Sequence, residues 1–366
     1  MRLRKLMAVL AVLALVLAAC TSDSDGDSST TAAEPGGEGD GDGSGGSLLQ
    51  EVRDRGTLNC GTRDALPGFA VLTEDGDHVG FDSDFCRAIA AAILGDADAV
   101  EHVDLETDDR FTALQSGQID VLVRNTTYTA ARDGAEGATF LTVTYYDGQG
   151  MMVNTGDYNS VEEMQGAIIC VAQGTTTEGN AAAESARLGL DWEIRPFEST
   201  DLLQEAFQAG QCDGWSSDTS QLVGFRSVYP DGPDALTILP EVFSKEPLAP
   251  AVADGDSEWA QAVNWAILAT IQAEELGITS ANVDQMRDSD NAEVVKFLTG
   301  ATTDADGNAT TFDPGLGLDA DFAYEVISQV GNYGEIFEEH LAPLGLERGI
   351  NALWFDGGLM YAIPYK

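Results

Sequence analysis

One octapeptide occurs twice in this chain. Ala113-Leu114-Gln115-Ser116-Gly117-Gln118-Ile119-Asp120 returns as Ala206-Phe207-Gln208-Ala209-Gly210-Gln211-Cys212-Asp213, identical at five of eight positions. Each copy reads as the end of a helix, a glycine stop and the entry to a strand, since glycine suits the left-handed residue just past a helix end. Eight residues beyond each glycine stands a polar residue, Asn125 in the first copy and Asp218 in the second. A repeated helix–stop–strand unit implies two similar α/β lobes. In open α/β sheets ligands bind at the carboxyl ends of strands. Asn125 and Asp218 are therefore expected to face one cleft.

The rest of the chain alternates in the same way. Gly56 to Gly61 reads as a strand entering a turn, and Ala65-Leu66-Pro67-Gly68-Phe69 as a loop with apolar bulk. Val79-Gly80-Phe81-Asp82 leads into a helix that Asp82 is placed to cap, with Phe85, Ile89, Ala92 and Ile93 on one face. Ala167 to Ala172 reads as a strand, after which Gln173-Gly174-Thr175-Thr176-Thr177-Glu178 opens a helix. Thr175 and Glu178 have capping-box spacing. A helix start offers free N–H groups and a positive dipole end to an anion. Alternating strands and helices predict α/β architecture with mainly parallel sheets.

Arg124-Asn125-Thr126-Thr127-Tyr128-Thr129-Ala130-Ala131-Arg132 follows the apolar run Val121-Leu122-Val123. Thr129 can cap a turn that projects Arg132 back to the strand end. A guanidinium matches a carboxylate in bidentate geometry, which a lysine cannot do. The Thr127 hydroxyl can complete that site, and Asp218 can accept from an ammonium. Together they fit an α-amino acid zwitterion. Arg124 receives no role and reads as a solvated or ion-paired residue.

Composition narrows the partners. With 62 Asp plus Glu against 18 Lys plus Arg, the 366-residue chain carries a formal net charge of −44. That argues against nucleic acid and anionic lipid surfaces and fits an exported, well-solvated protein. The N-terminus reads as an export signal: Arg2, Arg4 and Lys5, an apolar run from Leu6 to Ala19, then Leu17-Ala18-Ala19-Cys20, the form of a lipoprotein cleavage box. Cys20 is the expected lipidation site. Thr21 to about Gly46 is Ser, Thr, Gly, Asp and Glu without a large apolar residue, the composition of a disordered tether. Cys60, Cys86, Cys170 and Cys212 remain, and an exported compartment permits any of their three pairings as disulfides. The three histidines are scattered in sequence and there is no CxxC pair, so neither a metal site nor a cofactor is expected.

The motifs Val79-Gly80-Phe81-Asp82, Ser116 to Asp120, Thr127 to Arg132, Gln173 to Thr176 and Asp218 resemble the amino-acid-binding proteins of ABC uptake systems, bacterial solute-binding family 3. Tyr145 to Gly150, Ser244 to Leu248, Glu274 to Asp284, Gly331 to Glu335 and the tail from Leu346 to Lys366 are similar to its general L-amino-acid-binding subgroup. The resemblance implies a two-lobed periplasmic-binding-protein-like (type II) fold, with a cleft between two α/β lobes joined by a two-strand hinge. It implies a signal peptide (1–19), a lipidated tether (20–47), a first lobe (48–147), a second lobe (148–246), and a return to the first lobe with a C-terminal extension (247–366). With those lobes, Cys60–Cys86 and Cys170–Cys212 are the pairings that leave closure free. Arg132 would clamp the ligand carboxylate, helped by Asn125 and Thr127, with Thr176 completing the site and Asp218 taking the ammonium. Many relatives carry an aromatic residue where Leu66 stands, so Leu66, with Phe69 nearby, implies an aliphatic roof and broad specificity. The implied function is a monomeric, lipid-anchored, extracytoplasmic receptor that delivers L-amino acids to an ABC permease and its ATPase, and is not an enzyme. The alternatives are an exported dehydratase-like enzyme on the same scaffold, or an amino-acid sensor for a partner kinase.

Overall fold

The computed structural model describes residues 47–366. The export signal, Cys20 and nearly all of the tether lie outside the described residues. Two five-stranded sheets follow, built to one plan. In the first the order is Val100–Asp104, Leu58–Thr62, Val121–Leu122, Ala251–Ala253, Ala138–Phe140. In the second it is Glu193–Phe197, Ile168–Ala172, Gly214–Asp218, Gln149–Asn154, Leu236–Ile238. Each has three parallel strands followed by an antiparallel one that the chain adds from elsewhere. A separate antiparallel pair, Tyr145–Asp147 with Glu246–Leu248, links them. This is the two-lobed type II arrangement with a two-strand hinge.

The octapeptide repeat has a physical explanation. Each copy ends a helix in a Schellman motif: Gln118 N–H donates to Ala113 O at 3.0 Å and Gln211 N–H to Ala206 O at 2.9 Å. Gly117 and Gly210 sit at φ 72° and 68°, a region that penalises any side chain. The closing aspartate then clasps the neighbouring parallel strand twice. Asp120 donates its N–H to Asn59 O and accepts the Asn59 N–H on its carboxylate at 2.7 Å. Asp213 does the same with Ile168, again at 2.7 Å. The shared residues thus set where each strand starts, and so where its carboxyl end emerges.

Two expected caps are not formed. Helix Phe81–Leu94 is N-capped by Gly80 without a side-chain bond; Asp82 lies inside its first turn and instead accepts the Asn125 N–H at 2.8 Å. Helix Thr176–Leu188 starts after Thr175, whose hydroxyl turns back to Ala172 O at 2.7 Å rather than capping forward. Both side chains found a closer partner in the strand-end loops.

The apolar face of Phe81–Leu94 packs against Ser257–Glu275 and Phe322–Gln329, which thicken the first lobe. The tail reaches the hinge. Asn351 accepts from Tyr146 N–H at 2.6 Å and donates to Tyr146 O at 3.0 Å, so its amide pairs with the hinge strand as a neighbouring strand would.

Disulfides join Cys60 to Cys86 and Cys170 to Cys212, each within the layers of one sheet. They close loops of 26 and 42 residues, which corresponds to roughly 3–4 kcal/mol each in the chain-entropy model. Reduction is expected to lower the urea midpoint by about that energy while leaving ligand affinity unchanged. Loss of affinity in calorimetry under conditions where the reduced protein is still folded would contradict the confinement of both bridges to single lobes.

Candidate functional site

The carboxyl ends of the strands meet in one cleft. From the first lobe it is lined by Arg63, Thr107, Arg110, Arg124, Asn125, Thr127 and Arg132. From the second come the Ala172–Thr177 turn, Thr200, Ser217, Asp218 and Gln221. The lobes touch across it: Arg63 Nη2 donates to Thr200 Oγ1 at 3.0 Å, Asn125 Nδ2 to Gln221 Oε1 at 3.5 Å, and Gln173 Nε2 to Asp108 Oδ2 at 3.3 Å. The Thr127 and Thr176 hydroxyls stand 3.5 Å apart. The cleft is closed. Gly174 lets the second lobe approach Asp108, whose carboxylate fills the place a Cβ would take.

The sequence-predicted residues Asn125, Thr127, Arg132, Thr176 and Asp218 all line this space. Thr129 caps helix Ala130–Ala135 by accepting from Arg132 N–H at 3.2 Å, and the Arg132 guanidinium folds back to Thr127 O at 2.9 Å. Asn125 has φ 29°, unusual outside glycine, and is held there by the Asp82 carboxylate. Asp218 ends strand Gly214–Asp218 and precedes helix Thr219–Ser227 without making a side-chain cap bond to it.

Leu66 and Phe69 are elsewhere. Both are fully buried, at 0% and 1% exposure, and neither lines the cleft. Phe69 packs edge-on against Phe81 at 5.8 Å and Tyr145 at 5.6 Å, in the first-lobe core. Leu66 meets the second lobe: its Cδ1 stands 3.5 Å from the place a Cβ on Gly224 of helix Thr219–Ser227 would take. Arg124 is neither solvated nor ion-paired: it is buried, lines the cleft, and donates to Leu105 O at 2.7 Å and Thr107 Oγ1 at 3.3 Å. Arg63 and Arg110 were missed by sequence reasoning. Arg63 directly follows strand Leu58–Thr62, so the strand-end rule applied to the repeats would have found it. Arg110 begins a short helix and carried no such signal.

The cleft is electrically divided. Burial lowers the pKa of all four arginines below their ordinary value. Arg110 is pushed down to about 9, first by burial and then by the charges of Arg132 and Arg63. Half-buried Asp147 and buried Asp218 and Glu246 gather at the hinge, where Glu246 and Asp147 are register partners. Burial, then Asp147 and Glu246, hold the Asp218 carboxyl well above the usual range. Burial pushes Asp147 up to about 6 and Asp82 up to about 7. Thr176 and Asn180 donate to Glu246 at 2.9 and 2.7 Å, tying the second lobe's helix start to the hinge.

The histidines, scattered in sequence, converge on the far side of the first lobe. His78, His102 and His340 border one depression with Asp84 and Glu339. His78 and His102 stack at 4.6 Å, and His340 Nε2 lies 2.7 Å from Asp84, which also takes Arg87 at 3.1 Å. His102 Nε2 is buried without a hydrogen-bond partner, and none of these residues lines the cleft.

Fold and cleft together define a two-lobed receptor that closes on a small polar ligand. The chain belongs to the family described as bacterial extracellular solute-binding proteins, family 3, whose model matches residues 58–281. It is 47% identical over 322 residues to the general L-amino acid-binding periplasmic protein AapJ of Rhizobium johnstonii, covering 87% of this chain and 92% of that one. It is 43% identical to the glutamate/glutamine/aspartate/asparagine-binding protein BztA of Rhodobacter capsulatus, covering 87% and 94%. Among solved structures, an ABC transporter periplasmic binding protein from Brucella ovis with glutathione bound superposes with TM-score 0.83 at 43% identity, covering 87% of this chain and 99% of that one.

The raised carboxyls have a consequence for stability. Asp82, Asp147 and Asp218 hold protons more readily folded than unfolded. Their contribution is therefore complete below about pH 4 and is lost as pH rises through about 6 to 7 and above. His102, lowered to about 4 by burial and then by His78, acts in the opposite sense, but only below its unfolded value of 6.5. The ligand-free protein is thus expected to melt higher at about pH 6.5 than at about pH 8, with Asp82→Asn reducing the difference. A thermal midpoint that is flat or rises toward pH 8 would contradict it.

Proposed function

We propose that this chain is the substrate-binding receptor of an ABC transporter, capturing L-amino acids by lobe closure and presenting them to the membrane permease. The observation that carries the reading is a closed cleft lined by both signs of charge: Arg63, Arg110, Arg124 and Arg132 from the first lobe and Asp218 from the second. Arginine 132 takes the α-carboxylate in a bidentate pair, with Thr127 and the start of helix Thr176–Leu188 completing its shell. Asp218, backed by Asp147 and Glu246, takes the ammonium. Each end of the ligand stabilises charges that the closed cleft desolvates, and contacts on both lobes favour the closed state. The residues divide at 147/148 and 246/247 into the two lobes, and binding involves no covalent step. The AapJ and BztA relatives, named as amino-acid-binding proteins, support the ligand class. We place the protein outside the cytoplasm, held to the membrane by lipid on Cys20. No helix among the described residues is long and apolar enough to cross a membrane.

Arg132→Ala is expected to abolish amino-acid binding in calorimetry; affinity like the parent's would remove Arg132 from the carboxylate site. Asp218→Asn is expected to weaken binding by roughly 30-fold or more, the scale for removing one partner of a buried charge pair, without lowering the thermal midpoint. A large stability loss would instead make Asp218 structural. Cys20→Ser is expected to move the protein from the membrane fraction to the medium, and retention would count against the anchor.

A further inference from the structure

An α-carboxylate needs one bidentate arginine, and the cleft has four. Between them the guanidiniums offer about twenty N–H donors, and seven hydrogen bonds engage them, all to neutral acceptors. None of the four forms an ion pair among the described residues. Arg63, Arg110 and Arg124 are 7%, 4% and 4% exposed. A buried charge without a counter-charge is costly, and it persists where function requires it.

The four are not equivalent. Arg132 is the one whose charge is favoured chiefly by Asp218 and Glu246, the hinge carboxylates. The charges of Arg132 and Arg63 both act on Arg110, and those of Arg63 and Arg110 on Arg124. Arg63 Nη1 donates to Asn125 Oδ1 at 3.4 Å, next to Arg124, and Arg63, Arg110 and Arg124 line the same cleft. Arg110 and Arg124 share Thr107: Arg110 Nε donates to its carbonyl at 2.7 Å and Arg124 Nη2 to its hydroxyl at 3.3 Å. Glu106 and Asp82 favour the charges of Arg63 and Arg124 without hydrogen-bonding them, and Asp82 is already engaged by the Asn125 N–H. From the second lobe come the Thr200 hydroxyl and the Gln221 amide, both neutral.

We propose that Arg63, Arg110 and Arg124 form a second anion subsite that receives a side-chain carboxylate, making acidic L-amino acids the preferred ligands. The inference rests on the amino-acid reading above, with Arg132 and Asp218 holding the α-groups. A neutral or aliphatic side chain would displace water from these guanidiniums and return no acceptor with charge. Arg63 also bonds across the cleft to Thr200, so a carboxylate at this end would draw both lobes together.

The test is calorimetric titration of the intact protein with L-glutamate, L-aspartate, L-glutamine, L-leucine and glutathione. Glutamate and glutamine have the same shape and differ in charge, so their ratio needs no variant. Glutamate is expected to bind at least about tenfold tighter than glutamine, since hydrogen bonds to an ionised partner are the stronger ones. Arg63→Gln and Arg110→Gln are each expected to shrink that ratio to less than about threefold. Glutamine or leucine binding as tightly as glutamate would overturn the subsite. So would variants that weaken glutamate and glutamine alike, or binding of glutathione without glutamate. Absence of binding to every amino acid would overturn the amino-acid reading itself, an outcome distinct from loss of acidic preference.

Discussion

The structure depends on keeping two sets of buried charges apart. Four arginines reach the cleft from strand ends and short helices of the first lobe, and three carboxylates gather at the hinge and the second lobe's strand end. In a low-dielectric cleft such groups would collapse onto each other if the backbone allowed it. It does not: backbone carbonyls and threonine hydroxyls hold each guanidinium by one or two of its donors and leave the rest free. The result is a surface preorganised for a ligand that carries both signs. Among the described residues these four arginines form no ion pair, so their charge is left open to a ligand.

That separation is set by strand register, and register is set locally. Asp120 and Asp213 clasp their neighbouring strands at the same point of each lobe, just after a Schellman stop. Once those strands are fixed, the residues that follow them emerge at the sheet edges facing each other. Arg63, Asn125 and Asp218 are all strand-end residues in this sense. The repeat therefore serves the site indirectly, by fixing the platforms from which the cleft side chains project.

This explains why much of the site was legible in the sequence and part was not. The repeat announced two lobes and pointed at Asn125 and Asp218; Thr129 and Arg132 followed from capping geometry and guanidinium chemistry. What failed was the judgement of partners. Asp82 and Thr175 look like caps in sequence, but tertiary neighbours, the Asn125 N–H and the Ala172 carbonyl, out-compete the helix ends. Arg124 looked like a surface residue because arginine usually is, and nothing local reports that Leu105 and Thr107 close over it. Leu66 and Phe69 were placed at the ligand by comparison with relatives; Phe69 packs with Phe81 and Tyr145 in the first-lobe core, while Leu66 meets Gly224 of the second lobe. The three histidines show the converse, since positions 78, 102 and 340 converge only through the packing of helix Tyr333–His340 onto the first lobe.

The Asn351 amide deserves its place at the hinge. A bare two-stranded ribbon can twist, fray or slip, and an unpaired strand edge invites another strand. By bonding both the N–H and the carbonyl of Tyr146, Asn351 occupies that edge and pins the register of Tyr145–Asp147 against Glu246–Leu248. Twist is the freedom that remains. The C-terminal extension thereby acts as the bearing of a shaft: it removes lateral play, so that the lobes travel along one angular coordinate and the same charges meet the ligand at every closure.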